Sequence, residues 1–368
     1  MPSTPKSLRA LRKETEPHAD YGFFGPDSVT WKVWLHPTSF MVGFQRSVTI
    51  EQLDPNLIAA VEKSGGVRYR PHTRYDRTLR YFALVAFGPT EPAVRASDVL
   101  VKVHSKAIGH DPVTGGTYDA NRPDSQLWIH MTAWHSILYC YEKFGPGRLT
   151  PEEEAQYWEE CARAAELQTI DPDTVPRSRD AVRAYFEDWR PRLAASEAAQ
   201  SMTDFILHTE VAFPPDRPKA ADVVMLPFAR LVGAATVSTY PAYIQKMFGL
   251  RQSRVTAAAV RVVMKGVVAA MHRSPQLYVA AAGFISPSTV PIVAPLVLGL
   301  EPLNPVVLSP REAQRKYGVD NPADAHLDMR AKQYDKVFGR GEAPSDDGLL
   351  ESQAHFGPLE AGRTSQPA

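Results

Sequence analysis

Apolar residues recur along this chain at three- and four-residue steps, the spacing that gathers them on one face of an α-helix. In RYDRTLRYFALVAFG, Tyr75, Leu79, Phe82 and Ala86 form such a stripe, with Thr73 as a cap and Gly88 as a stop. The next segment, PAVRASDVLVKVHSKAIG, opens with Pro92 in its first turn and is expected to close at Gly109. A turn-rich loop, GHDPVTGGTYDANRP, follows. Asp124 is then the expected cap of DSQLWIHMTAWHSILYCYEKFG, which ends at Gly145. Thr150 and Glu153 have the spacing of a capping box, with Pro151 in the first helical position of an acidic helix. Further helices are read over 178–190, 194–208, 219–232, 239–248, 253–273 and 310–317. Sustained two-residue alternation is nearly absent, so the pattern predicts an all-α fold.

Residues 1 to 20 are polar and aperiodic and read as a flexible arm. From Gly341 to the end, Gly, Pro, Ser and acidic residues predict a disordered tail, 341–368. Between them no repeat or linker interrupts a single large helical domain, 21–340. At 368 residues and 44% hydrophobic content that domain can bury a sizeable core, and helical folds with a buried cofactor reach its size. Lys plus Arg and Asp plus Glu both total 41, a balance that argues against nucleic acid as a partner. The two cysteines, Cys140 and Cys161, form no CxxC pair, which removes a disulfide framework and a thiolate metal site. The N-terminus lacks the run of roughly 7–15 apolar residues that a secretory signal needs. A cytoplasmic location is therefore expected.

Two segments qualify that expectation. QLYVAAAGFISPSTVPIVAPLVLGL, 276–300, is about long enough to cross a bilayer, but Pro287, Pro291 and Pro295 interrupt it. It reads as a buried hairpin or lid. In RVTAAAVRVVMKGVVAAMHR, the basic residues Arg254, Arg261, Lys265 and Arg273 are spaced along a helix whose other face is apolar. Such a helix docks into a core or lies on an anionic membrane.

No GxGxxG, GxxxxGK[ST], GxSxG or HExxH is present, so nucleotide cradles, the nucleophile elbow and that zinc motif are unsupported. What remains is a set of histidines on helical faces. His104 has Leu100, Val101, Ala107 and Ile108 as helical neighbours, with Lys102 and Lys106 on the solvent side. It is either a satisfied core histidine or an axial ligand to haem iron. Arg74 and Thr78 share a face, with Arg77 beside them: a solvated surface, or donors for a developing negative charge. His130 shares a stripe with Leu127, Trp134 and Ile137, and His135 lies nearer Trp128, Thr132 and Tyr139. These two and His36 are either core or rim histidines or pocket groups.

In order and spacing, RYDRTLRYFALVAFG, VLVKVHSKAIG and TYDANRPDSQLWIHMTAWHSILYCYEKFG resemble the MpaB-type oxygenase family and, more distantly, the latex clearing proteins. The family's pattern falls here on Arg74, Arg77 and Thr78; on Val103 and His104; on Gly116, Tyr118 and Ala120; and on Trp128, Ile129, His130 and Thr132. His36 and Pro37 resemble its early His-Pro segment, and the likeness runs from about residue 30 to 210. The resemblance implies a helical fold around haem b, with His104 as the iron ligand. It also implies Arg74, Arg77 and Thr78 toward dioxygen and substrate, Thr132 lining the pocket, and His130 in the pocket or behind it. Val101 and Ile108 stand where latex clearing proteins tend to be basic, so polyisoprene does not carry over. The function implied is cleavage or hydroxylation of an alkene in an apolar isoprenoid, lipid or polyketide-like substrate. Two other readings stand beside it: a non-catalytic helical protein binding an apolar ligand, and a peripheral membrane enzyme.

Overall fold

A computed structural model describes residues 7–345. Among the described residues are eighteen α-helices and one two-stranded antiparallel sheet, so the fold is all-α. Its axis is the 22-residue helix Pro123–Phe144, which is apolar around most of its circumference and buries Trp128, Met131, Trp134, Ile137 and Leu138. A helix apolar on every side belongs in the interior. Gly43, in the π-turn Ser39–Gly43, brings a neighbouring segment against it: a Cβ there would lie 3.0 Å from the Ile137 Cα. Trp134 packs between Trp34 and Tyr157, each with ring centroids at 5.0 Å. Their polar tips are satisfied, because the Trp34 indole N–H donates to the Tyr157 hydroxyl (3.2 Å), which donates to the Trp134 carbonyl (2.8 Å).

Helix ends follow local chemistry. Thr150 and Glu153 form the expected capping box, with Pro151 at the first position. Asp124 is not the cap it was expected to be; Pro123 starts the helix and Asp124 sits in its first turn, where its charge suits the helix dipole. The helix carrying His104 spans Thr90–His104 and stops there rather than at Gly109. The reason is a short hairpin: Ile108–His110 pairs with Thr117–Asp119, with Gly109 opposite Tyr118. Three-residue strands are too short to display alternation. The start of the same helix is pinned by Asp20, which accepts from the Thr90 amide (2.9 Å) and hydroxyl (2.6 Å).

Part of the expected N-terminal arm is ordered: Leu8–Glu14 is a helix capped by Ser7, and Arg12 Nε donates to the Leu298 carbonyl (2.9 Å). Beyond residue 345 the expected tail lies outside the described residues. The proline-interrupted stretch folds as helices Pro275–Ile285 and Val290–Val297 joined by a 3-10 turn. Asp76 holds that turn by accepting from the Ser286 hydroxyl (2.6 Å) and the Ser288 amide (3.2 Å). Ile292, Val293, Ala294 and Pro295 are buried, so this segment is a hairpin docked on the helix Pro71–Phe87.

The first turn of Val29–Trp34 is capped from another helix. Buried Glu160 accepts from the Thr30 amide and hydroxyl (both 2.6 Å), the Val29 amide (3.3 Å) and Gln156 Nε2 (2.8 Å). Replacing Glu160 with Ala strands these donors and is expected to cost about 3 kcal/mol in denaturant unfolding. A cost below about 1 kcal/mol would contradict the capping role.

Candidate functional site

The hairpin after His104 returns the chain to the end of its helix. The Ala120 amide donates to the Ala107 carbonyl (3.0 Å), and Asn121 Nδ2 donates to the Val101 carbonyl (2.9 Å). This gives the Gly116, Tyr118 and Ala120 positions a structural purpose. They bring the Ala120 carbonyl and, one turn into the next helix, Gln126 to one edge of the His104 ring. Gln126 Nε2 lies 2.9 Å from His104 Nδ1 and also donates to the Ala120 carbonyl. The other nitrogen, Nε2, has no hydrogen-bond partner among the described residues. Burial, then the Arg74 cation, lowers the His104 pKa to about 4, so the ring is neutral at pH 7.

Arg74, on the helix Pro71–Phe87, is near enough for its charge to act on His104. Its side chain is exposed, and desolvation of the guanidinium by the surrounding protein lowers its pKa. Arg77 repels it, and Arg77 Nη2 is buried without a partner. Neither guanidinium forms a hydrogen bond or ion pair among the described residues. Two such cations side by side are costly unless an anionic group completes them. The Thr78 hydroxyl donates to the Arg74 carbonyl on its own helix (2.8 Å).

Sequence reasoning missed Glu51 and Gln126. Glu51 begins the 3-10 turn after Phe44–Ile50 and is buried. Ser47 donates to its carboxylate, as does Thr132 Oγ1 at 3.2 Å. Burial raises its pKa to about 7, against the opposing pull of those hydroxyls and of Arg74. Thr132 therefore belongs with Glu51 and Arg74, from three different elements. No sequence signal marks Glu51 or Gln126, because the contacts that tie them to the site, Thr132 for Glu51 and His104 for Gln126, are 81 and 22 residues away in the chain.

His130 sits apart, with both ring nitrogens engaged. Nε2 bonds the Cys161 carbonyl (2.8 Å), and Nδ1 lies 3.4 Å from Gln168 Nε2. It fastens the central helix to Pro151–Ala165, with no nitrogen left for a ligand. His135 is beside Arg46, and His36 stacks against His272 with centroids 4.9 Å apart. The described residues bring together no three His, Cys, Asp or Glu side chains that could hold a metal ion.

Two predictions follow from this electrostatics. Burial lowers the His130 pKa to about 4, so the unfolded chain, with an ordinary value near 6.5, binds the proton first as pH falls. Stability is full above pH 6.5 and declines below it, by about 2 kcal/mol at pH 5 from this residue alone. Denaturant unfolding at pH 7.5 and pH 5 measures it, and equal stabilities would contradict a buried neutral histidine. Glu51 has the opposite sense: its folded pKa is raised, so the fold loses stability as pH rises from about 4.5 to 7. Glu51→Gln is therefore expected to stabilise the protein at pH 8, by up to about 3 kcal/mol. Destabilisation there would show that Arg74 needs the carboxylate more than burial resists it.

Residues 31–269 match the family described as ER-bound oxygenase mpaB/B'/Rubber oxygenase, catalytic domain. A solved structure titled "Structure of Latex Clearing Protein LCP in the closed state" aligns over 76% of this chain and 74% of that chain, with a TM-score of 0.43 and 17% identity. No curated protein matches. The family match extends over more than half of the sequence, and the chain belongs to the mpaB and rubber oxygenase catalytic-domain family.

Proposed function

We propose that this oxygenase-family chain binds haem b through His104 Nε2 and oxidises an apolar substrate with dioxygen. The observation that carries the reading is a neutral, half-buried imidazole with Gln126 and Ala120 at one edge and no hydrogen-bond partner on Nε2, beside two guanidinium groups that form no hydrogen bond or ion pair among the described residues. This donor set fits haem b. The macrocycle supplies four nitrogens to its iron, so the protein needs to add one, and its two carboxylates would add anionic charge beside Arg74 and Arg77, which feel only Glu51 and Asp76 without an ion pair to either. When bound, haem supplies an iron centre for reaction with dioxygen.

The chain's own residues would then divide the work. The Ala120 carbonyl would accept the proton on the ring's other nitrogen and leave Nε2 for the iron, as partners behind a ligating histidine do, with Gln126 packed at the same edge. Arg74 and Arg77 supply cationic N–H groups, either to the cofactor's carboxylates or to negative charge developing during oxidation. Glu51, with a pKa of about 7, can hold or release a proton at a carboxylate oxygen that Ser47 and Thr132 orient. An isoprenoid, lipid or polyketide-like alkene suits an apolar helical interior, with cleavage or hydroxylation as the outcome.

An absorption spectrum with a haemochrome assay tests this reading. The wild type should show a Soret band that His104→Ala loses or shifts. Arg74→Ala and Thr78→Ala should keep their haem and slow dioxygen uptake with an alkene substrate about tenfold or more. A wild type that stays colourless when haem is supplied would overturn the proposal, leaving a helical protein that binds an apolar ligand. Loss of haem in the Arg74 or Thr78 variants would instead make those residues part of the cofactor seat.

A further inference from the structure

The helix Arg254–Arg273 presents three distinct sides. Met264, Val268 and Met271, spaced by four and three residues, are buried against the rest of the fold. Val255, Ala259, Val262 and Gly266, spaced by four, three and four, form a second stripe that is fully outward. Val255 is 80% exposed and Val262 73%, with Val263 at 52% beside them. Arg254, Arg261, Lys265 and His272, spaced by seven, four and seven, run along a third side between the two. The helix contains no acidic residue, and none of Arg254, Arg261 and Lys265 is ion-paired among the described residues. Packed against it, Asp222–Val237 adds the exposed Val223 and Val224, and the helix that follows adds the exposed Leu277.

Exposed β-branched apolar residues on an ordered helix lose hydrophobic stabilisation unless something covers them. The neighbouring cations Arg254, Arg261 and Lys265, none of them ion-paired among the described residues, decide what. A second copy of the chain would bring like charges together, whereas an anionic lipid surface is complementary to them. We propose that this face docks on an anionic bilayer, with the valine stripe inserted at the headgroup boundary and the cation row among lipid phosphates and carboxylates. The helix is long and apolar enough to span a bilayer, but its methionine stripe is already committed to the core, which places it on the surface rather than across it. This inference is independent of the haem reading. Its consequence for the enzyme is access to substrates that partition into membranes.

Flotation of the full chain with vesicles tests the docking face. Binding to phosphatidylcholine vesicles containing phosphatidylserine is expected, with little binding to phosphatidylcholine alone and release by high salt. Arg261→Glu with Lys265→Glu should weaken binding about tenfold or more. Val255→Ser with Val262→Ser should abolish it, and unchanged melting temperatures would show that both pairs still fold. Failure to float would overturn the proposal. So would equal binding to neutral vesicles that the charge reversals leave untouched. Resistance to alkaline carbonate extraction would replace surface docking with a span. A dimer dispersed by the serine pair, without vesicle binding, would assign the face to a second copy.

Discussion

A half-buried, uncharged imidazole, held at one edge and open at the other, is the arrangement around which the rest of this site is built. Its cost is set by desolvation, which lowers the His104 pKa to about 4. What makes the arrangement specific is the hairpin that ends the helix at His104. Ile108–His110 and Thr117–Asp119 pair only to turn the chain back, so that Ala120, Asn121 and Gln126 close on the helix end. Among the described residues, the one sheet thus brings the chain back to seat a single side chain. Asp20 fixes the opposite end of the same helix, leaving it little freedom to slide.

Around that seat the protein tolerates groups that a purely structural core would avoid. Arg74 and Arg77 repel each other without partners, and Glu51 is buried with a pKa near neutrality. Each costs stability, and such perturbed groups cluster where chemistry is done. The cost is offset by well-satisfied interactions elsewhere. In the Trp34, Trp134 and Tyr157 stack the Trp34 indole N–H and the Tyr157 hydroxyl are both paired, and Glu160 accepts four hydrogen bonds. A settled core thus stands beside an electrostatically unsettled cluster.

Much of this could be read along the chain, and the failures have physical causes. The stripe of Tyr75, Leu79, Phe82 and Ala86, the Thr150 and Glu153 capping box and the helix at 254–273 were legible, because each depends on residues a few positions apart. Asp124 has a capping residue's chemistry, but Pro123 starts the helix one residue earlier. The hairpin was hidden because its strands are three residues each. His104 stood out by its apolar neighbours and by family resemblance. Gln126 and Glu51 did not, since their partners are set by tertiary packing over long sequence separations. His130 carries the same helical signal as a pocket residue, but a carbonyl from another helix occupies it.

The most direct test of the account is chemical rescue at His104. His104→Gly removes the imidazole and leaves space for a free one. The account predicts that this variant, supplied with haem, lacks the wild-type Soret spectrum and regains it when imidazole is added. A variant that holds haem with the wild-type spectrum, with no imidazole present, would show that another residue ligates the iron.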